Sequence, residues 1–486
     1  MGIVSKIQVL GVGQILRTIA SVYRHGFTLL ALLDSVKHKK EGACKDDDEE
    51  VSYNELYRQS LAMAYHLNKK YNIGTDSKVA IVSVNSLSFV RSLFAASGLG
   101  ADIFLLNPNQ KKDYFDNFMA SHKFGLIICD TAIAGEFRSY GIAVFCHDET
   151  TDISGRSGFG CIAKRKGGNI VILSSGSKGI PKLERRKASA INYLDPLIDI
   201  IEKLHLKETR SVLISVPIFH GYGLAALFLS VFMGKKIRLT KKFDTEKACK
   251  IIKEEKTDCW IAVPIMIKKV YTSADASLQS LTTIISGGDV LPLNIIEAFH
   301  NTTSSKLYNL YGTSETGVCT IATDNDLKKY PDTIGKAITG IKMKILEIDG
   351  SPVKNGTGRL SVKCAWSSDN RDNGYVPTGD LVYKNEDGYY FYKGRHDDMM
   401  VIGGENVYPI ELENIIYKNT EIKWAKAKSA IDENGINKIQ VDLVLNRGVV
   451  FCEKQFIGWI SNKVPSYMIP KSVTLLDEEP TAKLMQ

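Results

Sequence analysis

Apolar positions in this chain fall into short blocks separated by longer stretches of helical spacing. Val79 to Val84, Ile103 to Leu106 and Leu126 to Cys129 read as buried strands. Ser52-x-x-Glu55 is a capping box and opens a helix between the N-terminal region and the first of them. Ile170 to Leu173 is another apolar run. Val212 to Val216, Lys236 to Leu239, Cys259 to Val263 and Leu281 to Ser286 continue the series, and 243–255 and 291–299 have the pattern of amphipathic helices. Strand and helix in alternation predict parallel or mixed sheets covered by helices.

The texture changes beyond about 330. Residues 333–392 are rich in Gly, Thr, Val and Tyr and predict short antiparallel strands, and 398–486 carry a fresh α+β pattern. The expected architecture is α/β. A large N-terminal domain, 1–392, includes a small antiparallel β region. The segment 393–397 separates it from a small, mobile α+β domain, 398–486.

The N-terminal forty residues are mixed. Ile7 to Leu16 and Phe27 to Leu33 are apolar, with Lys6, Arg17, Arg24, Lys37, Lys39 and Lys40 around them and Asp34 as the only acid. Neither a signal peptide nor a myristoylation site fits, since Arg17 interrupts the apolar run and Lys6 stands where Ser or Thr is wanted. Two readings remain: packing onto the body of the protein, which is favoured, and peripheral membrane contact. Lys45-Asp46-Asp47-Asp48-Glu49-Glu50 reads as a solvated loop.

Composition narrows the class. The chain has 486 residues, too many for one ordinary core. It is 44% hydrophobic and 24% charged, the balance of a globular protein. A net charge of +8 suits anionic ligands or a membrane surface, but no dense basic block interleaved with aromatics points to nucleic acid. The cysteines are scattered without a CxxC pair, which argues against a zinc site or disulfide framework and for a reducing, cytoplasmic setting. No run reaches transmembrane length.

Candidate chemistry begins after Leu173. Ser174-Ser175-Gly176-Ser177-Lys178-Gly179-Ile180-Pro181-Lys182 is a Ser/Gly loop whose amides, hydroxyls and lysines suit a phosphate chain. It is not a Walker A loop, because only two residues separate its glycines and Lys182 follows proline. Alone, such a loop is more often a surface turn. Asn309-Leu310-Tyr311-Gly312-Thr313-Ser314-Glu315 follows Lys306 to Tyr308, expected to be the end of a strand, where α/β sheets bind ligands. Its residue types can read a base, stack on it, bond a phosphate and hold Mg²⁺.

Thr378-Gly379-Asp380 comes next, followed by Gly394-Arg395-His396-Asp397-Asp398. Ile402-Gly403-Gly404-Glu405-Asn406-Val407-Tyr408-Pro409-x-Glu411-x-Glu413 and, near the end, Pro480-Thr481-Ala482-Lys483 complete the set. In this order and spacing, from about residue 50 to the end, the chain resembles the adenylate-forming, AMP-binding superfamily. The FHGYG and IGGENVYPIELE segments give it the flavour of a fatty-acyl-CoA synthetase, a long-chain-fatty-acid–CoA ligase.

The resemblance implies roles and cofactors: ATP, Mg²⁺ and coenzyme A. The loop from Ser174 to Lys182 would hold the β- and γ-phosphates of ATP, and Gly287, Gly288 and Asp289 would line the adenine side. Asn309 would meet the adenine amino group and Tyr311 would stack on the ring. Gly312 would lie in the same nucleotide-binding segment, Ser314 would contact the α-phosphate and Glu315 would bind Mg²⁺. Asp380 would bond the ribose hydroxyls with help from Arg395, and Asp397 would be the hinge. Gly403 and Gly404 would border the thiol tunnel. Lys483 would be the catalytic lysine, and His220 would sit beside the substrate carboxylate.

The implied reaction is attack of a carboxylate on MgATP to give acyl-adenylate and pyrophosphate, then transfer of the acyl group to a thiol. A fatty acid is the expected substrate, because no aspartate near Phe219 to Gly223 is placed to pair an amino acid's ammonium. The acceptor is CoA or the phosphopantetheine of an acyl carrier protein, which present the same thiol. A non-catalytic nucleotide- or acyl-binding homologue is the remaining alternative. Lys178, Leu183 and Ala482 replace the threonine, glycine and glycine of the usual motifs; Lys178 and Ala482 motivate this alternative, and Glu315, Asp380, Arg395 and Lys483 oppose it.

Overall fold

The computed structural model describes residues 10–39, 43–110, 112–147, 167–174, 182–185, 190–271, 278–347, 349–353, 356–364, 374–402, 405–431 and 437–480. Two large sheets and the helices between them form the body. One sheet has six strands in the order Val144–Cys146, Leu126–Cys129, Lys78–Val82, Asp102–Leu106, Ile170–Ser174, Lys182–Arg185. All its pairs are parallel except the last. The other has fourteen strands and changes character midway. Ser211–Ile214, Lys236–Leu239, Cys259–Ala262, Thr283–Gly287 and Lys306–Thr313 run parallel.

The Lys306–Thr313 strand turns back as a hairpin with Gly317–Ala322. From there the sheet is antiparallel through Thr333–Ala337, Tyr390–Arg395, Val376–Lys384, Gly356–Cys364 and Ile341–Leu346. The expected antiparallel region is thus hydrogen-bonded into the parallel sheet. The last strand of that region extends to Arg395.

Between the two large sheets lies the helix Leu87–Gly98, with nearly every side chain buried. A Cβ on Gly98 would stand 2.8 Å from Leu30, so glycine lets a second helix approach closely. Leu30, Leu33 and Val36 of that helix are fully buried. We label the N-terminal pair α1 (Val12–His25) and α2 (Leu29–Val36). The capping box at Ser52 forms as read: Ser52 Oγ accepts from Glu55 N, and Glu55 Oε2 accepts from Ser52 N at 2.8 Å.

The acidic run departs from the expectation of a solvated loop. Asp46 is 3% exposed; its Oδ1 accepts from Asp48 and Glu49 N, and its Oδ2 from Leu87 N at 2.7 Å. Asp47 faces Arg238 and Lys247, and Glu49 grips Arg91. A carboxylate that accepts backbone N–H bonds folds a tight turn instead of facing water.

Beyond the large sheet, Met400, Val407, Leu412, Ile416, Val441, Leu443 and Ile460 belong to a separate hydrophobic cluster. It is built on the strands Ile422–Ile431, Asn437–Leu445 and Ser472–Leu475. Lys268 Nζ, on the helix Pro264–Tyr271, donates to Lys423 O at 2.7 Å and pairs with Glu479 at 3.3 Å, holding this unit against the body. Among the described residues no helix is long and apolar enough to cross a membrane, and no cysteine is in a disulfide.

Candidate active site

The site lies past the carboxyl ends of the parallel strands. Its centre is Asp380, which is 4% exposed. Its Oδ2 accepts from Tyr311 OH at 2.5 Å, and its Oδ1 accepts from Arg395 Nη1 at 2.9 Å. Asp380 and Arg395 are register partners on adjacent strands, which fixes the pair. Arg395 Nη1 also donates to Thr378 O, and Thr378 Oγ1 accepts from Asp380 N at 3.1 Å. Gly379 has φ +78°, and a Cβ there would meet the guanidinium at 2.7 Å, so glycine is needed for two reasons.

Burial raises the Asp380 pKa above the ordinary carboxylate value, while Tyr311 and Arg395 pull against it. Burial also drives Tyr311 well above the ordinary phenol range, so it remains a donor at neutral pH. The Arg395 side chain is 42% exposed and offers its outer edge to solvent or a ligand.

Asn309 and Tyr311 lie within the strand Lys306–Thr313, not in a loop past its end as expected. The hairpin with Gly317–Ala322 explains this: it carries the ladder through the motif, with Leu307 to Leu310 all buried. Gly312 permits that pairing, since a Cβ would lie 2.1 Å from Gly317 O. Ser314, Glu315 and Thr316 form the turn, tied by Thr316 N to Thr313 Oγ1 at 3.2 Å. Glu315 is close enough to Asp380 to raise its pKa. Asn309 is 6% exposed, and its Nδ2 donates to Thr333 O at 3.4 Å.

A second wall adjoins the first. Gly287 ends the strand Thr283–Gly287; a Cβ there would be 3.1 Å from the Tyr222 ring and 3.3 Å from Leu310 O. Tyr222 OH donates to Ile285 O at 2.8 Å, laying the ring across the strand ends. Gly288, at φ +81°, turns the chain outward to exposed Asp289. His220 precedes the helix Gly221–Met233, and its ring lies tilted against that of Phe219, with centroids 4.6 Å apart. Burial pushes its imidazole down to about 4, so it is neutral at physiological pH. A Cβ on Gly223 would lie 2.2 Å from Pro217 O; this glycine lets the helix sit close enough to hold His220 in place.

Ser174 ends one strand and Lys182 begins the next, and they are register partners. Ser175, Gly176, Ser177, Lys178 and Gly179 of the expected phosphate loop, together with Gly403, Gly404 and Lys483, lie outside the described residues. The structure therefore brings together Tyr311, Asp380 and Arg395, with Gly287 and the His220–Tyr222 segment alongside. The sequence reading missed Thr378 and Tyr222 as parts of the site, although both stood in quoted motifs. Tyr392, whose ring lies 6.4 Å from that of Tyr311, had no sequence signal.

Among the described residues no three His, Cys, Asp or Glu side chains are grouped to hold a metal. A single carboxylate at Glu315 fits Mg²⁺, which takes one or two protein oxygens and fills the rest with water and phosphate.

A buried carboxylate in a tyrosine–arginine clasp, past the ends of parallel strands, is suited to a vicinal diol and a phosphate. The AMP-binding enzyme family model matches residues 34–366, well over half the chain, and the chain belongs to this family of adenylate-forming enzymes. It is 24% identical over 454 residues to the 2-succinylbenzoate–CoA ligase of Bacillus licheniformis, covering 89% of this chain and 92% of that one. It is 23% identical over 483 residues to the indoleacetate–CoA ligase of Aromatoleum aromaticum, covering 91% and 92%. The o-succinylbenzoate CoA synthetase of Bacillus subtilis, solved with its acyl-adenylate, shares the fold with a TM-score of 0.81 and 22% identity over 92% of this chain and 95% of that one.

These relatives are named for succinylbenzoate and indoleacetate, both aromatic acids, whereas the sequence reading pointed to a fatty acid.

Proposed function

We propose that the protein is an acid–thiol ligase that activates an aromatic carboxylic acid with ATP and passes the acyl group to coenzyme A, releasing AMP and pyrophosphate. The observation that carries the nucleotide half is the Tyr311–Asp380–Arg395 clasp. Asp380 would accept from the ribose hydroxyls, with Arg395 holding the carboxylate in place. Tyr311 would keep its hydroxyl on Asp380 while its ring face meets the adenine. The phosphate-loop hydroxyls and lysines would hold the phosphates, and Glu315 would hold Mg²⁺. The ion, when bound, neutralises phosphate charge as the leaving pyrophosphate develops.

The Bacillus subtilis synthetase solved with ATP and magnesium ion supports this cofactor set. The two curated relatives, both CoA ligases of aryl acids, support free CoA as acceptor and an aromatic acid over a fatty acid. The acyl side would be walled by His220, Tyr222 and Gly287. A neutral imidazole there can donate one hydrogen bond to a carboxylate without holding it as a fixed ion pair. Residues 1–392 would bind the nucleotide and acid. The unit 398–486 would turn about 393–397, with Asp397 as pivot, to exchange Lys483 for the thiol tunnel beside Gly403 and Gly404.

Pyrophosphate release tests the reading. With a panel of acids, succinylbenzoate-type and arylacetic acids should exceed fatty acids of any length. A dominant signal from fatty acids would overturn the aromatic assignment, and no signal from any acid would overturn the ligase reading itself.

A further inference from the structure

Helix α1 turns its largest apolar side chains outward. Its protein-facing side is mixed, with Gln14, Thr18, Ser21 and His25 among half-buried Ile15 and Val22. Ser21 Oγ and Arg24 Nη1 both donate to Asp34, at 2.7 and 2.5 Å, and His25 Nε2 lies 3.1 Å from Tyr57 OH. Its apolar side faces out: Val12 is 60% exposed, Leu16 60%, Ile19 61% and Tyr23 78%, with Phe27 just beyond at 63%. The spacing 12, 16, 19, 23 places these side chains in one stripe along the helix. Scattered exposed apolar residues are ordinary in proteins, but a continuous stripe along one helix is not.

The charges beside the stripe are of one sign. Arg17 and Arg24 are exposed on α1, and Lys37 and Lys39 follow on and after α2. The only acid among residues 10–39, Asp34, is 4% exposed and is held by Ser21, Arg24 and Lys37. The family match begins at residue 34, so α1 lies outside the part that the family model describes.

We infer that the outer face of α1 is an interfacial docking surface for anionic phospholipid. An apolar stripe flanked by Arg17 and Arg24, with no exposed carboxylate among residues 10–39, complements a bilayer surface. The stripe enters the boundary between headgroups and acyl chains while the arginines meet phosphates. A second copy docking stripe to stripe would bring exposed Arg17 against its own counterpart, so like charge opposes that occupant.

Vesicle co-sedimentation of the full chain tests this. Wild type should pellet with phosphatidylcholine vesicles containing phosphatidylserine, less with phosphatidylcholine alone, and less as salt is raised. Leu16→Asp with Ile19→Asp should lower partitioning by about tenfold or more, and Arg17→Glu should reduce only the anionic component. Both sites are exposed, so melting temperature and pyrophosphate exchange should stay at wild-type values and report an intact fold. Equal pelleting of wild type and the Asp variant, or none by wild type, would overturn the inference. So would concentration-dependent self-association in sedimentation velocity that the Asp variant abolishes, which would assign the stripe to a second copy.

Discussion

Tyr311 OH and Asp380 Oδ2 are 2.5 Å apart, yet their strands are not neighbours in the sheet. Gly317–Ala322, Thr333–Ala337 and Tyr390–Arg395 stand between them. In a flat sheet four strand spacings would separate the two backbones by about 19 Å, beyond the reach of one tyrosine. The antiparallel half must therefore twist and fold over the parallel half, and the register shifts beside Tyr311, Thr333 and Leu381 mark where it bends. The clasp is a consequence of that curvature.

Removing the carboxylate should weaken nucleotide binding. A charge-assisted bond is worth about 1.5–3 kcal/mol, so Asp380→Ala should raise the Kd for ATP roughly ten- to hundredfold by calorimetry. Tyr311→Phe should weaken ATP binding less, and its effect should shrink in the Asp380→Ala background, because the pair acts as one unit. An unchanged Kd in Asp380→Ala would remove the ribose assignment.

His220 makes a pH prediction. Its folded pKa, about 4, lies below the ordinary value of 6.5, so the unfolded chain takes up this proton first. Stability from the neutral ring is fully present above about pH 6.5 and is lost as pH falls toward 4. Urea unfolding from pH 8 to 4 should show a shallower decline for His220→Asn, with a relative gain of no more than about 3 kcal/mol at the acid end. Parallel curves for the two proteins would show that His220 is not held neutral by burial.

Lys268 should control the resting position of the C-terminal unit. Lys268→Met keeps the aliphatic stem but leaves Lys423 O and Glu479 without their donor, a loss of about 1–3 kcal/mol of docking energy. Proteolysis within 395–399 should accelerate, while the unfolding midpoint of the large sheets moves little, because the two hydrophobic clusters are separate. An unchanged cleavage rate would show that other contacts hold the unit.

Lys483 should serve only the first half-reaction. At about 4 Å a charge pair is worth roughly 1 kcal/mol in water but about 4 near a protein surface, so the lysine matters only in the closed geometry. Lys483→Ala should slow acyl-adenylate formation severely and leave thioester formation from supplied acyl-adenylate nearly intact. Rapid-quench assays of both steps decide this; wild-type adenylation in the variant would make the lysine a frayed terminal residue of no catalytic consequence.

By itself the sequence determined much of the frame. The apolar runs at Val79, Ile103, Leu126, Val212 and Cys259 became strands within a residue or two, because a strand buried on both faces is largely apolar. Ser52 and Glu55 formed their capping box because its bonds are local in sequence. The ordered motifs carried the family, since short segments preserve the residue types that a nucleotide needs.

Only the tertiary structure decided the rest. Asp46 looked like one acid in a solvated run; its Oδ1 caps a local turn, and Leu87 N, from a distant element, engages its Oδ2. Asn309 to Thr313 looked like a loop, and only the returning strand at Gly317 supplied the partners that made it a ladder. The largest apolar side chains of α1 turned outward because Asp34, on α2, drew Ser21 and Arg24 toward it. Each of these outcomes rests on a bond between residues distant in the chain or on separate elements. A pattern read within one segment has no information about the group that will close such a bond.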